Sequence, residues 1–348
     1  MSQALVEAEL TLERLDLKAC EWQWPEMDAY HDREVFQTRE WLEFLRRSQD
    51  VEPVVAAVLR EGEKVGYFTG GVIRRFGIRI LGSPFPGWTT GSLGFNLREN
   101  VSRRSALAAL SSFAWRELDC LHIEIKDRRL DAGDLAANGY RTTPFLTFEI
   151  DLTPDEEGLL GRMSGACRRA IRKSVKEGVR IEEASGEDFA DEYHAQLVDV
   201  FGKQGLKPLY DAERVRELIR CVHPGGRLLL LRAVTEDGER IASGIFPAMN
   251  GTAWFWGGAS WRRDQIVRSQ AGPRPYGYNE AIFWYAMRYW KERGMRTLDT
   301  GGGGDYKRKY GVREVTVPLG RRARVPGLLY ARDLAARVYS RAVFGGQN

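Results

Sequence analysis

Apolar and polar positions along the chain change period several times, and each change marks an element. Leu10 to Leu17 reads as a first strand, and the Trp22 to Asp32 region as a polar, aromatic connector. Thr38-Arg39-Glu40-Trp41-Leu42-Glu43-Phe44-Leu45 opens on a Thr cap and sets Trp41, Leu42, Phe44 and Leu45 in a three-to-four-residue stripe, which predicts a helix start. Pro53 to Leu59 and Val65 to Ile73 flank the turn Arg60-Glu61-Gly62-Glu63-Lys64 and predict an antiparallel hairpin, with Ile78 to Leu81 as the next strand. Gly82-Ser83-Pro84-Phe85-Pro86-Gly87-Trp88 breaks the sheet. Ser102 to Glu117 is a helix, Cys120 to Ile125 a strand, Leu130 to Asn138 a short helix and Phe145 to Leu152 a strand.

The second half replays this order. Arg227 to Val234, the turn Glu236-Asp237-Gly238-Glu239 and Arg240 to Ala248 predict a second hairpin, followed by a strand Thr252 to Gly258, a helix Gly277 to Arg293 and a strand Arg296 to Asp299. The interval between the turn glycines Gly62 and Gly238 also separates Val101 from Gly277, where the second helix starts, so the halves are in register. Asn138-Gly139-Tyr140 before one strand has its counterpart in Tyr310-Gly311-Val312 before Glu314 to Leu319. A single repeat of this length is a duplicated domain. The expected architecture is mixed α/β, with one domain over 1–154, a second over 155–325 and a C-terminal helix over 326–348.

Composition narrows the class. A chain of 348 residues that is 43% hydrophobic has enough apolar side chains for two ordinary cores. No window approaches the roughly 20 uninterrupted apolar residues of a membrane span. The opening Met1-Ser2-Gln3-Ala4-Leu5-Val6-Glu7 lacks a basic region followed by an apolar core, so the expected location is the cytoplasm. Cys20, Cys120, Cys167 and Cys221 form no CxxC pair and suggest neither a disulfide framework nor a zinc site. A net charge of +4 does not by itself imply a polyanionic partner; clustering of that charge does.

Two clusters stand out. In Arg162 to Val179, Met163, Cys167, Ile171 and Val175 recur every four residues, while Arg168, Arg169, Arg172, Lys173 and Lys176 cover the remaining surface against one acid, Glu177. This predicts an amphipathic helix over 162–177, closed by Gly178, whose five cations bind phosphates; a merely solvated face is the alternative. The second cluster is Asp299-Thr300-Gly301-Gly302-Gly303-Gly304-Asp305-Tyr306-Lys307-Arg308-Lys309-Tyr310-Gly311. Here a strand runs into four glycines that admit close approach of a ligand and deliver basic residues beside it. Attack of an amine on an ester or thioester develops an oxyanion, and the ammonium of Lys307 is the group that would stabilise it. Asp305 and Asp299 are the nearest carboxylates for orienting or deprotonating the amine, although a turn-capping Asp fits either position as well. His31, His122, His194 and His223 are scattered and supply no base.

Together, the duplicated frame, the helix RRAIRKSVKEGV and the ending Tyr306-Lys307-Arg308-Lys309-Tyr310-Gly311 resemble the Fem-type (FemABX-like) transferases of the GNAT superfamily. That family carries a basic "R-x-x-IRKA-x-K-x-GV" helix and an aromatic-Lys-x-x-aromatic-Gly ending. The resemblance implies two tandem GNAT-like domains, each a mixed, largely antiparallel sheet flanked by helices. It implies N-acyl transfer that forms an amide, with aminoacyl-tRNA as co-substrate, no bound cofactor or metal, and an amine acceptor on a cell-wall (peptidoglycan) precursor, an exopolysaccharide or a natural product. Tyr306 and Lys307 stand where the family has its Phe-Lys pair, implicated in binding the donor end and stabilising the reaction. The chain departs from the family in lacking the long charged helical hairpin that some members insert.

Acyl-CoA is the alternative donor, and a non-catalytic tRNA or sugar-phosphate binding protein on the same scaffold is a third reading. The stretch Gln270-Ala271-Gly272-Pro273-Arg274-Pro275-Tyr276-Gly277 does not match the Q/R-x-x-G-x-G/A loop that cradles acetyl-CoA, and Gly301 to Lys307 lacks the Gly-Lys-Ser/Thr ending of a Walker loop. Arg274 before a helix start remains a phosphate ligand candidate, as does Lys309. Of the many aromatics in the second half, Phe283, Met287 and Trp290 repeat at helical spacing and belong to a core. Trp88, on its Pro-Gly loop, is expected to line an acceptor groove.

Overall fold

The computed structural model describes residues 9–19, 21–75, 77–202, 205–261, 277–325 and 327–330. Along the chain come β1 (Leu10–Arg14), α1 (Trp24–Asp28), α2 (Arg39–Gln49), β2 (Glu52–Arg60), β3 (Glu63–Arg75), β4 (Ile78–Ser83), β5 (Gly94–Leu97), α3 (Arg103–Arg116), β6 (His122–Lys126), α4 (Ala132–Ala137) and β7 (Arg141–Asp151). Then follow α5 (Glu156–Arg162), α6 (Gly165–Lys176), β8 (Arg180–Ala184), α7 (Asp188–Gly202), α8 (Ala212–Val222), β9 (Leu228–Val234), β10 (Arg240–Met249), β11 (Thr252–Trp254), β12 (Gly257–Ser260), α9 (Tyr278–Glu292), β13 (Thr297–Asp299) and β14 (Arg313–Ala323). A 3-10 helix spans Asp305–Tyr310. Side-chain caps start the helices where the sequence offers them: the oxygens of Ser102, Asp131, Asp155, Ser164 and Asp211 each accept a backbone N–H of the first turn.

The chain forms two compact units, one of Met1–Asp32, Asp50–Phe145 and Val317–Asn348, the other of Arg33–Gln49 and Leu146–Thr316. The chain passes from one unit to the other inside β7 and returns inside β14, where the sequence pattern suggests breaks at 154 and 325. Arg33–Gln49 joins the second unit because the buried stripe of α2, Trp41, Leu42, Phe44 and Leu45, packs with α8.

In the first unit the strand order is β1-β2-β3-β4-β6-β14, with β5 also on β3. Every pairing among them is antiparallel except β4 with β6. Helix α3 covers one face, so that Leu107, Leu110 and Phe113 close over Val54, Val58, Phe68, Leu81, Ile123 and Ile125.

The second unit repeats the plan as β8-β9-β10-β11-β13-β7, with β12 also on β10 and β11 parallel to β13. Its core sets Cys167 and Ile171 of α6 and Ile282, Phe283, Met287 and Trp290 of α9 against Leu229, Leu231, Phe246 and Leu298. The two copies differ in which strand completes them. β14, which follows β13 in the chain, pairs with β6, and β7, which follows β6, pairs with β13.

Three expectations change. The basic helix expected over 162–177 is two helices, because Met163 is extended and Ser164 caps a new start. The four-residue apolar repeat also fails at its end: Met163, Cys167 and Ile171 are buried, but Val175 is 69% exposed. Four residues turn about 400° at 3.6 per turn, so the stripe drifts by about 40° each step and Ser174 takes the inner position. The strand expected over 252–258 is broken at Phe255–Trp256 into β11 and β12. Of the expected C-terminal helix, residues 331–348 lie outside the described residues. No helix among the described residues is long and apolar enough to cross a membrane.

Candidate active site

The glycine-rich stretch lies at the point where the sheet of the second unit opens. β11 and β13 run parallel as far as Trp254 beside Asp299, and the Phe255 N–H still donates to Asp299 O at 2.7 Å. Beyond that the two strands part. The Trp256 N–H turns to Ile245 O at 3.0 Å and the chain continues as β12 on β10, while the Thr300 N–H turns to Phe148 O at 2.7 Å on β7. Peptide groups that would have paired across the gap are thus directed to the outer neighbours, and the two adjacent strand ends splay apart.

Lys307 sits behind this opening. It is 5% exposed, and its Nζ donates to three successive carbonyl oxygens, Thr300 O at 2.6 Å, Gly302 O at 3.0 Å and Gly301 O at 3.3 Å. Its three N–H groups match the three acceptors. Drawing consecutive carbonyls toward one point requires unusual backbone, and Gly301, Gly303 and Gly304 have φ of +73°, +73° and +79°, which side-chain-bearing residues rarely adopt. The ammonium also lies 5.8 Å from the Phe255 ring centre and 5.9 Å from that of Tyr306. Burial holds its pKa below the ordinary lysine value, and the charge of Asp299 partly opposes that shift.

The neighbouring candidates divide into braces and exposed groups. Tyr306 is 55% exposed, its ring lying so close over Gly304 that a Cβ there would stand 2.5 Å from it. Burial of the packed part raises the phenol's pKa. Tyr310 is buried and stacks on Phe283 at 4.3 Å, which fixes the end of the 3-10 helix into the core. The carboxylate of Asp305 projects outward and takes Arg308 Nε at 3.2 Å. Lys309 pairs with Glu280 Oε1 of α9 at 2.5 Å, and its carbonyl accepts the Ser164 N–H at 2.9 Å, tying the loop to the start of α6. Asp299 is buried; its Oδ1 accepts Thr147 Oγ1 at 2.5 Å and the Gly301 N–H at 2.7 Å, so it braces the loop.

Sequence reasoning missed a second buried carboxylate. Glu149 stands opposite Asp299 across β7 and β13 and receives Arg313 through Nη2 at 2.6 Å and Nε at 3.0 Å. The i, i+2 placement of Thr147 and Glu149 in the strand was the available signal. Nothing local in the sequence marks Asp299 as their neighbour.

Along α6, Arg169, Arg172 and Lys176 are exposed, and Lys173 lies 3.5 Å from Glu177. Arg168 behaves differently: its Nη1 donates to Met163 O at 2.6 Å, Leu160 O at 3.1 Å and Gly161 O at 3.3 Å, closing the C-terminal end of α5. Trp88 is buried in the first unit, packed against Gly71 and 6.1 Å from the Phe85 ring. Arg274 lies outside the described residues.

Known proteins share part of this sequence and its fold. Residues 162–309 match the model of an acetyltransferase (GNAT) domain, a span that contains α6, the opened sheet and Lys307. Among solved structures, FemX is similar with a TM-score of 0.67 at 14% identity, over 88% of this chain and 96% of that one. A tandem GNAT protein from the clavulanic acid biosynthesis pathway has a TM-score of 0.54 at 13% identity, over 91% and 99%. The L-PGS structure from Bacillus licheniformis has 0.52 at 14% identity, over 88% and 97%. No curated protein sequence matches the chain. The duplicated mixed sheets are therefore a tandem, Fem-like GNAT fold, and the match of residues 162–309 to a GNAT acetyltransferase domain supports an acyltransferase.

Proposed function

We propose that the protein transfers an amino acid from aminoacyl-tRNA to an amine, forming an amide on a cell-wall precursor, an exopolysaccharide or a natural-product acceptor. The observation that carries this reading is the tie between the Lys307 loop and the cationic surface of α6. The carbonyl of Lys309 holds the Ser164 N–H that opens the helix bearing Arg169, Arg172, Lys173 and Lys176. A polyphosphate donor lying along α6 would present its acyl end at the loop, which a small donor has no need to do. The similarity of the fold to FemX supports the same reading.

In this reaction the acceptor nitrogen attacks the ester carbonyl, an N–C bond forms, the C–O bond to the ribose breaks, and the amine proton passes to the departing ribose oxygen, which leaves as a hydroxyl. Lys307, held behind the glycine carbonyls, supplies positive charge near the oxyanion, and donates an N–H to it once one of the partly exposed carbonyls of Gly301 and Gly302 is released to water. Tyr306 packs the donor end. Asp305 stands at the loop's outer edge to receive the amine.

The matched acetyltransferase domain favours acyl-CoA as the second reading. Incubation with mixed charged tRNAs and acyl-CoAs, with the consumed donor identified by mass, separates the two. Loss of the aminoacyl ester with a new amide supports the proposal. Consumption of an acyl-CoA alone, or a thermal shift with acetyl-CoA and none with charged tRNA, overturns it.

A further inference from the structure

The loop that bears Lys307 leaves β13 at Asp299 and enters β14 at Arg313. In the sheet, β7 lies between those two strands, so the loop crosses β7 and stands on either side of it. Its two feet meet at one residue. On the β13 side Asp299 is directly opposite Glu149, on the same face. On the β14 side Arg313 donates to Glu149 Oε2 through Nη2 at 2.6 Å and Nε at 3.0 Å.

The adjoining residues of β7 add to the grip. Thr147, two positions earlier and on the same face, gives its hydroxyl to Asp299 Oδ1 at 2.5 Å. The Phe148 carbonyl takes both the N–H and the hydroxyl of Thr300, at 2.7 and 3.0 Å, and on the other face the guanidinium of Arg308 lies 5.2 Å from the Phe148 ring centre. Thr300 and Gly301, fixed through Phe148 and Asp299, supply two of the three carbonyls that hold Lys307 Nζ.

Glu149 is an expensive way to join strands. Its side chain is 3% exposed while that of Arg313 is 68% exposed, and a carboxylate directly opposite another is repelled by it. Apolar residues of similar volume would hold the strands as firmly as such an ion pair does. What the pair adds is direction, since two N–H groups of a rigid guanidinium converging on one oxygen fix angle as well as distance. The acid is a buried anchor and the arginine a strut reaching to it from the start of β14.

We infer that Glu149 and Arg313 are positioning residues for Lys307: the pair sets the span of the loop between β13 and β14, and so the point on which the carbonyls of Thr300, Gly301 and Gly302 converge. The inference rests on the reading of Lys307 as the group that stabilises the oxyanion. A displacement of about 1 Å at a reacting centre costs on the order of 10²-fold in rate, so a tie outside the chemistry still registers in turnover.

The test observes the lysine itself, in the full chain and without donor. An ammonium held by three carbonyls exchanges its protons slowly with water and gives an Nζ–H signal in 15N-labelled protein, assigned by its loss in K307M. The signal is expected in the wild type, lost to exchange in R313Q, and recovered in part in R313K, because lysine keeps the charge and loses the fork. In transfer from the donor that the mixed incubation identifies, R313Q lowers kcat at least about tenfold and leaves KM within about twofold, as a displaced transition-state group does and a lost substrate contact does not. R313Q leaves Glu149 buried without its counter-charge; if it melts below the assay temperature, E149Q/R313Q, which removes both charges, carries the comparison. A wild type without the signal, or a signal retained in R313Q, overturns the inference. Loss of the signal in R313Q with no transfer by the wild type upholds the pair's hold on Lys307 and sinks the acyl-transfer reading instead.

Discussion

Replacing Lys307 with methionine keeps the four-atom stem of the side chain and removes the ammonium, and the structure gives both sides of the balance. The hydrogen bond to Thr300 O is buried, so that carbonyl is left without a partner at a cost of about 1–3 kcal/mol. The carbonyls of Gly301 and Gly302 are partly exposed and regain water. Against this cost stands relief from burying a charge whose neighbour Asp299 is already engaged by Thr147 and the Gly301 N–H. The net effect on folding is about 0–2 kcal/mol, a fall of a few degrees in Tm. Acyl transfer falls far more, about 10²–10³-fold, the magnitude typical of removing an oxyanion-stabilising group. K307M that melts normally and keeps more than a tenth of wild-type transfer would refute the assignment.

The same variant carries a pH signature. Since burial depresses the Lys307 pKa, the folded protein releases this proton before the unfolded chain, whose lysine titrates near 10.5. Between those two pKa values the unfolded state binds more protons, so wild-type stability rises with pH. The wild-type advantage over K307M should grow as pH climbs through the alkaline range below 10.5, measured by paired thermal melts, and a flat difference contradicts the burial argument.

Exchange of Arg169, Arg172 and Lys176 together for glutamine should weaken tRNA binding and flatten its salt dependence by about 0.7–0.9 in slope for each phosphate no longer neutralised, read by filter binding. R168Q should instead cost about 1–2 kcal/mol of stability with the slope unchanged, because its guanidinium caps α5. G277A should destabilise the protein by several kcal/mol in denaturant unfolding, since Gly277 has φ of +96° and an added Cβ would strike the Ala170 carbonyl of α6. Y306F should keep most of the transfer rate and Y306A should lose it, because the ring, not the hydroxyl, lies on Gly304.

The periodic elements were legible because their signals are local. Thr38 bonds the Trp41 N–H at 3.3 Å, as its place before an apolar stripe predicted, and the two hairpins form where their turn glycines fall. α7 and α8 drew no prediction. The exchange of β7 and β14 between units was invisible, because strand pairing depends on partners more than a hundred residues apart, and alternation within a strand says which face is buried but not against what. For the candidate site, the sequence pointed to the lysine and not to its surroundings: the hydrogen bonds of Lys307 to the carbonyls of Thr300, Gly301 and Gly302 depend on the path of a glycine-rich backbone, which leaves no side-chain pattern to read.

Under the proposed function, the duplication explains why the chemistry is placed in one copy. The interval that carries the start of α3, Arg103, to the start of α9, Tyr278, carries Asp127 to Gly302 and Ala132, Gly133 and Asp134 to Lys307, Arg308 and Lys309. In the first unit, Asp127 accepts the Phe95 N–H at 3.1 Å, the Arg129 N–H at 2.8 Å and Arg103 Nη1 at 3.0 Å, while Arg103 also reaches Asp32 at 2.7 Å. Gly94 lies so close that its Cβ would stand 2.7 Å from the Asp127 carboxylate. Burial raises the Asp127 pKa, and Arg103, followed by Arg129 and the two backbone N–H donors, opposes the rise. The bend after β6 is thereby closed by an acid and an arginine that satisfy one another, with β5 laid alongside. After β13 the corresponding bend has glycine where Asp127 stands, and its carbonyls are gathered by a lysine with no carboxylate bonded to it among the described residues. One fold thus gives a sealed bend and an opened one, and under the proposed function the opened bend, whose lysine is bonded to no carboxylate among the described residues, is where an acyl group would meet positive charge.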